Sequence, residues 1–162
     1  MIVVEGNSTR HPCSTRIKLD GETYVTSKVP SKNTDYLCAR WIDQRYKYQD
    51  LPFMCYKGMD PQKFKVRTDD VWVADHVYWD DYFQQFNPKH RDPSSGTSAV
   101  FCVIERWQPE EIGLIGFDWV LDKNSDWFHD AAAELKAIEQ LITIIDLRNN
   151  NDNPNLRWLR PT

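Results

Sequence analysis

Three short polar clusters hold the residues best suited to chemistry in this chain. The first, Gly6-Asn7-Ser8-Thr9-Arg10, follows an apolar run. A glycine there lets the backbone approach a ligand, and the Asn, Ser and Arg side chains suit phosphate, ribose or base. The second, Ser94-Ser95-Gly96-Thr97-Ser98, opens an apolar-periodic segment. Free N–H groups and the positive end of a helix dipole make such a place an anion site, to which hydroxyls add donors. The third joins Gly116-Phe117-Asp118-Trp119 to Asp126-Trp127-Phe128-His129-Asp130. It sets an acidic group at a strand end and a histidine at a helix start. His129 suits a general base or a phosphate-binding imidazole, with Asp118, Asp126 or Asp130 orienting it. Each cluster also has a plainer explanation: a strand-to-loop turn, ordinary N-capping, a capping or surface histidine. Their common position, where strands hand over to helices, is what joins them.

The elements that must carry these clusters are clearest in the last third of the sequence. Val100, Phe101, Ile104 and Trp107 repeat at helical spacing until Pro109 halts them. Ile112–Phe117 is a short apolar run of the kind buried on both faces of a parallel sheet. After a polar loop over Asp118–Asp126, Ala131, Leu135, Ile138 and Ile142 mark the inner face of a helix. Thr143–Leu147 supplies a β-branched strand, so residues 112–147 read as a βαβ unit. Met1–Val4 reads as a buried opening strand, with further short strands expected at Thr23–Thr26, Phe53–Tyr56 and Val71–Val77. Leu37, Trp41 and Tyr48 fall on one side of an expected helix over Tyr36–Tyr48, and Asp80–Phe86 reads as a helical turn. The expected fold class is α/β: a mostly parallel open sheet with flanking helices, as a single domain over residues 1–148. The Asn-rich segment 149–162 reads as an extended C-terminal arm suited to docking on a protein partner.

Composition narrows the function classes. The 41% hydrophobic and 27% charged residues fit a globular chain and exclude a disordered one. A net charge of −4, with no Lys/Arg stripe, argues against binding nucleic acid. Cys13, Cys38, Cys55 and Cys102 are scattered without a CxxC pair, so free thiols in a reducing compartment are expected. Met1–Val4 is too short for a signal peptide and no apolar run reaches membrane-spanning length, so a soluble, cytoplasmic protein is expected. Asp69-Asp70 and Asp80-Asp81 lack metal-binding spacing and read as solvated acidic surface, and His76 and His90 have no partner at ligand spacing. No metal site is expected.

Taken together, Ser95-Gly96-Thr97-Ser98 before an apolar helix, Glu111–Trp119, and His129-Asp130-Ala131-Ala132-Ala133-Glu134 resemble the bacterial sialyltransferases of glycosyltransferase family 42. They are similar too to Rossmann-like proteins of the hydroxymethylpterin pyrophosphokinase type and their phage-encoded relatives. The resemblance covers about residues 94–148, and the opening strand more loosely. It implies a nucleotide site built from Gly6, Asn7 and Ser8, from Ser95, Gly96 and Thr97, and from Gly116 with Asp118. His129 occupies the position of the family's histidine, so His129 and Asp118 become the implied catalytic residues. The implied activity is nucleotide-sugar-dependent glycosyl transfer, metal-independent and without a cofactor, from a donor such as a CMP-sugar to a glycan acceptor. Glu5-Gly6-Asn7-Ser8-Thr9 departs from the family loop by lacking its second glycine and its Pro-Ser. The rival reading is therefore a non-catalytic structural or interaction module on the same scaffold, such as a phage virion or accessory protein. It would act through the arm and in a homo-oligomer, in the host cytoplasm or the virion.

Overall fold

A computed structural model describes residues 1–7, 16–48, 50–58, 71–89 and 92–148. Ser8, Cys13, Asp69, Asp70, His90 and the arm at 149–162 lie outside the described residues. Seven strands form one sheet: β1 (Ile2–Glu5), β2 (Thr23–Thr26), β3 (Tyr36–Trp41), β4 (Phe53–Lys57), β5 (Val71–Val73), β6 (Glu111–Ile115) and β7 (Thr143–Asp146). Their order across the sheet is β5-β4-β3-β2-β1-β6-β7, and every pairing is parallel. The helices are α1 (His76–Gln84), α2 (Ser95–Trp107), the single turn α3 (Asp118–Leu121) and α4 (Ala131–Glu139). This is a Rossmann-like α/β fold, as the sequence leads one to expect.

Strand alternation divides the core. Val4, Met54, Tyr56, Ile112 and Leu114 face α1, α2 and α4 in the main cluster, together with Val100, Phe101 and Ile138. Their neighbours Val3 and Ile115, and Phe53 and Cys55, turn to the opposite face, where they form two smaller clusters. Each fully buried Val, Leu, Ile or Phe contributes about 1.5–3 kcal/mol, so the larger helical face carries most of the apolar stabilisation. Cys38, Cys55 and Cys102 are free and buried.

The order of strands decides where a ligand can sit. From β1 the chain steps outward through β2, β3, β4 and β5, then returns to place β6 on the other side of β1. Loops leaving β1 and β6 therefore diverge, and a crevice opens between them at the carboxyl ends.

Five local expectations are corrected. Residues 36–48 are not a helix: Tyr36–Trp41 is a strand, and only Ile42–Lys47 coils, as a 3-10 turn. The four-residue spacing of Leu37 and Trp41 is overridden by ladders on both sides, Leu37 pairing with Thr26 of β2 and Phe53 of β4. The strand at Val71 stops at Val73, because Asp75 caps α1 by accepting the Tyr78 N–H. Helix α1 thus begins at His76 and replaces the expected turn over 80–86. The polar loop after β6 begins with the turn α3. Asp80 is not solvated surface either, being buried and accepting the Tyr56 hydroxyl.

Candidate functional site

The crevice between β1 and β6 holds a cavity of about 290 Å³ lined by Gly6, Asn7, Ser95, Gly96, Gly116 and His129, with Ser94, Phe117, Trp119, Val120, Trp127 and Phe128 completing its wall. That volume is at the lower end for ligand cavities.

The floor is glycine by necessity. Gly6 N–H donates to Ile115 O at 2.8 Å, which extends the β1–β6 ladder one residue beyond the strands. A Cβ on Gly6 would lie 2.5 Å from Gly116 O, and one on Gly116, whose φ is +77°, would lie 2.7 Å from Gly6 O. Beside them the Phe117 ring packs so closely that a Cβ on Gly96 would sit 2.9 Å from it. All three glycines therefore have packing reasons as well as the ligand reason read from the sequence.

Helix α2 brings its N-terminus to the same cavity. Ser94 is the N-cap, with extended backbone and a side chain that accepts the Thr97 N–H at 3.4 Å. By position, the N–H groups of Ser95 and Gly96 lack intrahelical acceptors and add the positive end of the dipole. Thr97 does not join them at the cavity. It is fully buried, and its hydroxyl donates to Glu134 of α4.

Glu134 is the residue that sequence reading missed. It is 1% exposed and accepts the Ser94 hydroxyl at 2.5 Å and the Ser94 N–H at 3.2 Å. Burial pushes its carboxyl above the usual range, and the hydroxyls of Ser94 and Thr97 pull it back part of the way. His129 Nδ1 lies 3.8 Å from Glu134 Oε2. A glutamate on the inner side of a predicted helix, next to Leu135 and Ile138, was the signal available.

His129 is packed among aromatic rings, 4.8 Å from Trp127 and 4.1 Å from Phe128 between centroids. Trp119 stacks on Trp127 with ring planes 24° apart. Asp118 stands apart from this group. Its buried carboxylate receives Arg148 Nη1 at 2.9 Å, and the same guanidinium also holds Asp122 and Asp146. Asp118 is not among the residues that line the cavity. Asp130 instead caps α4 by accepting the Ala133 N–H at 3.0 Å. The Asp126 backbone N–H donates to Asn124 Oδ1 at 2.8 Å.

This sheet is shared with a sialyltransferase. The enzyme CstII of Campylobacter jejuni, solved in complex with a substrate analogue, cytidine-5'-monophosphate, matches with a TM-score of 0.54 over 92% of this chain and 80% of that one. Sequence identity is 16%, so what the likeness shows is the fold. No family model matches the sequence, and no curated protein matches it. Among the described residues no helix is long and apolar enough to cross a membrane.

Proposed function

We propose that this chain is a glycosyltransferase-like domain that binds a cytidine nucleotide sugar and transfers the sugar to a hydroxyl of a glycan acceptor. The observation that carries the reading is the cavity at the divergence of β1 and β6, where Gly6, Asn7, Ser95, Gly96, Gly116 and His129 meet. Its support from outside the chain is the shared fold of a sialyltransferase solved with a cytidine nucleotide.

In this reading Asn7 and the backbone at Gly6 and Gly116 hold the nucleoside, and Ser8, next in the sequence, is assigned to the same task. The N-terminus of α2 at Ser95 and Gly96 takes the phosphate, and Thr97 supports that turn from within through Glu134. As the acceptor oxygen bonds to the anomeric carbon, the carbon–oxygen bond to phosphate breaks and its electron pair leaves with the nucleotide. His129 takes the acceptor's hydroxyl proton, and the α2 dipole stabilises the growing negative charge on the leaving phosphate. Asp118 acts at a distance, holding α3 and hence Trp119 in place through Arg148.

The test is a melting series with CMP, UDP and GDP compounds. A saturable rise with CMP, lost in Asn7→Ala, supports the reading. Equal silence across the panel removes it, and a transferase assay with His129→Ala then has no purpose.

One observation favours the second reading, a non-catalytic interaction module such as a phage virion or accessory protein. Phe128, 86% exposed, continues through Trp127 to the part-exposed Trp119, an aromatic patch of the sort that protein partners cover. Sedimentation of the chain with and without residues 149–162 separates the two. Loss of self-association or partner binding on truncation, together with no nucleotide response, favours the module.

A further inference from the structure

We propose that Arg106, held among the rings of Tyr36, Trp72 and Trp107 at the amino edge of the sheet, is a binding site for a carboxylate. The site lies at the edge opposite the crevice and is independent of what the crevice takes.

Helix α2 runs against the strand direction, so its last turn arrives where the strands begin. There it meets Tyr36, the first residue of β3, and Trp72 of the edge strand β5. The Arg106 Cζ lies 4.8 Å from the centroid of the Trp107 ring, 5.1 Å from that of Tyr36 and 5.7 Å from that of Trp72. Tyr36 and Trp107 meet edge to face at 5.1 Å. All three rings are half-buried and pack on the main core, so the frame around the guanidinium is anchored. A guanidinium is weakly hydrated, and its attraction to ring faces holds it there without a hydrogen bond.

Ring contacts use none of its five N–H donors. Among the described residues, no hydrogen bond or ion pair joins Arg106 to another side chain or to the backbone. Its nitrogens are not among the buried polar atoms either, so they reach water. The carboxylates beside it in the chain and beside Tyr36 have other work. Glu105 accepts the Asp75 N–H at 2.9 Å and Trp79 Nε1 at 2.8 Å. Asp35 holds Lys18 Nζ at 2.7 Å and the Tyr24 N–H at 2.8 Å. A cation in the last turn of α2 also complements that helix's dipole, but that role needs only charge and no rings.

A carboxylate fits what is left over. Its two coplanar oxygens match the fork of a guanidinium and accept two parallel N–H bonds. A side chain already held by rings has little rotamer freedom left to lose on binding. Two sources share this chemistry: a small free acid, and an acidic side chain on a docked protein segment. Tyr, Trp and Arg are also the residues on which protein interfaces concentrate their binding energy.

The experiment is nitrogen NMR of the full chain with labelled arginine, the Arg106 Nε–H signal assigned by its absence in Arg106→Lys. The probes are acetate, inorganic phosphate, a capped Leu-Glu-Leu peptide and its glutamine counterpart, all at one ionic strength. A saturable shift with acetate and with the glutamate peptide, and none with the glutamine peptide, is the expected result. Affinity at least tenfold tighter for the peptide than for acetate assigns the site to a docked segment, and equal affinity assigns it to a free acid. In Arg106→Lys, acetate binding followed by calorimetry is expected to weaken by about tenfold, the worth of one hydrogen bond between charged groups. Should that variant not fold, Arg106→Gln supplies the assignment and the comparison. No saturable shift with either carboxylate overturns the proposal, as does unchanged affinity in the folded variant. A response to phosphate with none to acetate overturns the choice of ligand. None of these readouts involves a nucleotide, so a flat melting series defeats the glycosyltransferase reading and leaves this one standing.

Discussion

Gly6 and Gly116 meet backbone to backbone, each occupying the space that a side chain on the other strand end would need. The Gly6 N–H bond to Ile115 O draws the two loops together, and the positive φ of Gly116 turns the second loop away.

Alanine at either position is therefore expected to destabilise the protein. For Gly116→Ala the left-handed backbone costs about 1 kcal/mol and the clash adds to it, giving about 2–3 kcal/mol in all. Urea unfolding measures this. A loss below 0.5 kcal/mol would mean that the loops separate freely.

Arg148 holds three carboxylates, one of them the buried Asp118 at the start of α3. Arg148→Ala takes the guanidinium from a carboxylate that water does not reach, and about 2 kcal/mol of stability is expected to go with it. The adjacent Trp119 should become more accessible, which fluorescence quenching by acrylamide reads directly. Unchanged quenching would show that α3 is held by its packing alone.

Asp80 provides a pH test. Burial raises its carboxyl above the ordinary range, against the pull of the Tyr56 hydroxyl and Lys57. A raised carboxyl binds its proton more tightly in the folded state, so its contribution to stability is largest below the unfolded value and is lost as pH rises through the folded one. Asp80→Asn lacks that loss. The stability of the variant relative to the wild type is thus expected to improve from about pH 3 to pH 7, as followed by chemical unfolding at several pH values. A difference that stays constant across that range would contradict the burial effect.

Phe128 is expected to matter for ligand and not for folding. Its ring is exposed, so Phe128→Ala should leave the melting temperature nearly unchanged. If a cytosine base stacks there, the same change weakens CMP binding by about tenfold, in line with the worth of one base–aromatic contact. Calorimetric titration with CMP gives the ratio, and equal affinities would remove the ring from the site.

The sequence made the carboxyl-end crevice legible because glycine, serine and histidine stood at three strand-to-helix junctions in one βαβ pattern. Those signals are local, and the parallel sheet needs only local signals to bring its strand ends to one edge. Residues 36–41 misled for the opposite reason. Leu37 and Trp41 share a helical spacing, but their partners lie in β2 and β4, and only pairing with both shows them to be a strand. Direction was also hidden. Thr97 belongs to the right loop yet turns inward to Glu134, and Asp118 follows the right strand yet turns to Arg148. Glu134 itself resembled an ordinary first-turn helix glutamate, since nothing nearby in the chain announces Ser94 as its partner forty residues away.

The segment 92–94 is anchored from two directions. Arg40 donates to Pro93 O and lies 3.0 Å from Asp92, Lys57 lies 2.9 Å from Asp92, and Glu134 receives Ser94 from the far side. A loop moored to β3 and β4 at one end and to α4 at the other has no slack. The entrance to α2 is thus braced from both sides, and insertions between Asp92 and Ser94 are expected to loosen that helix's first turn.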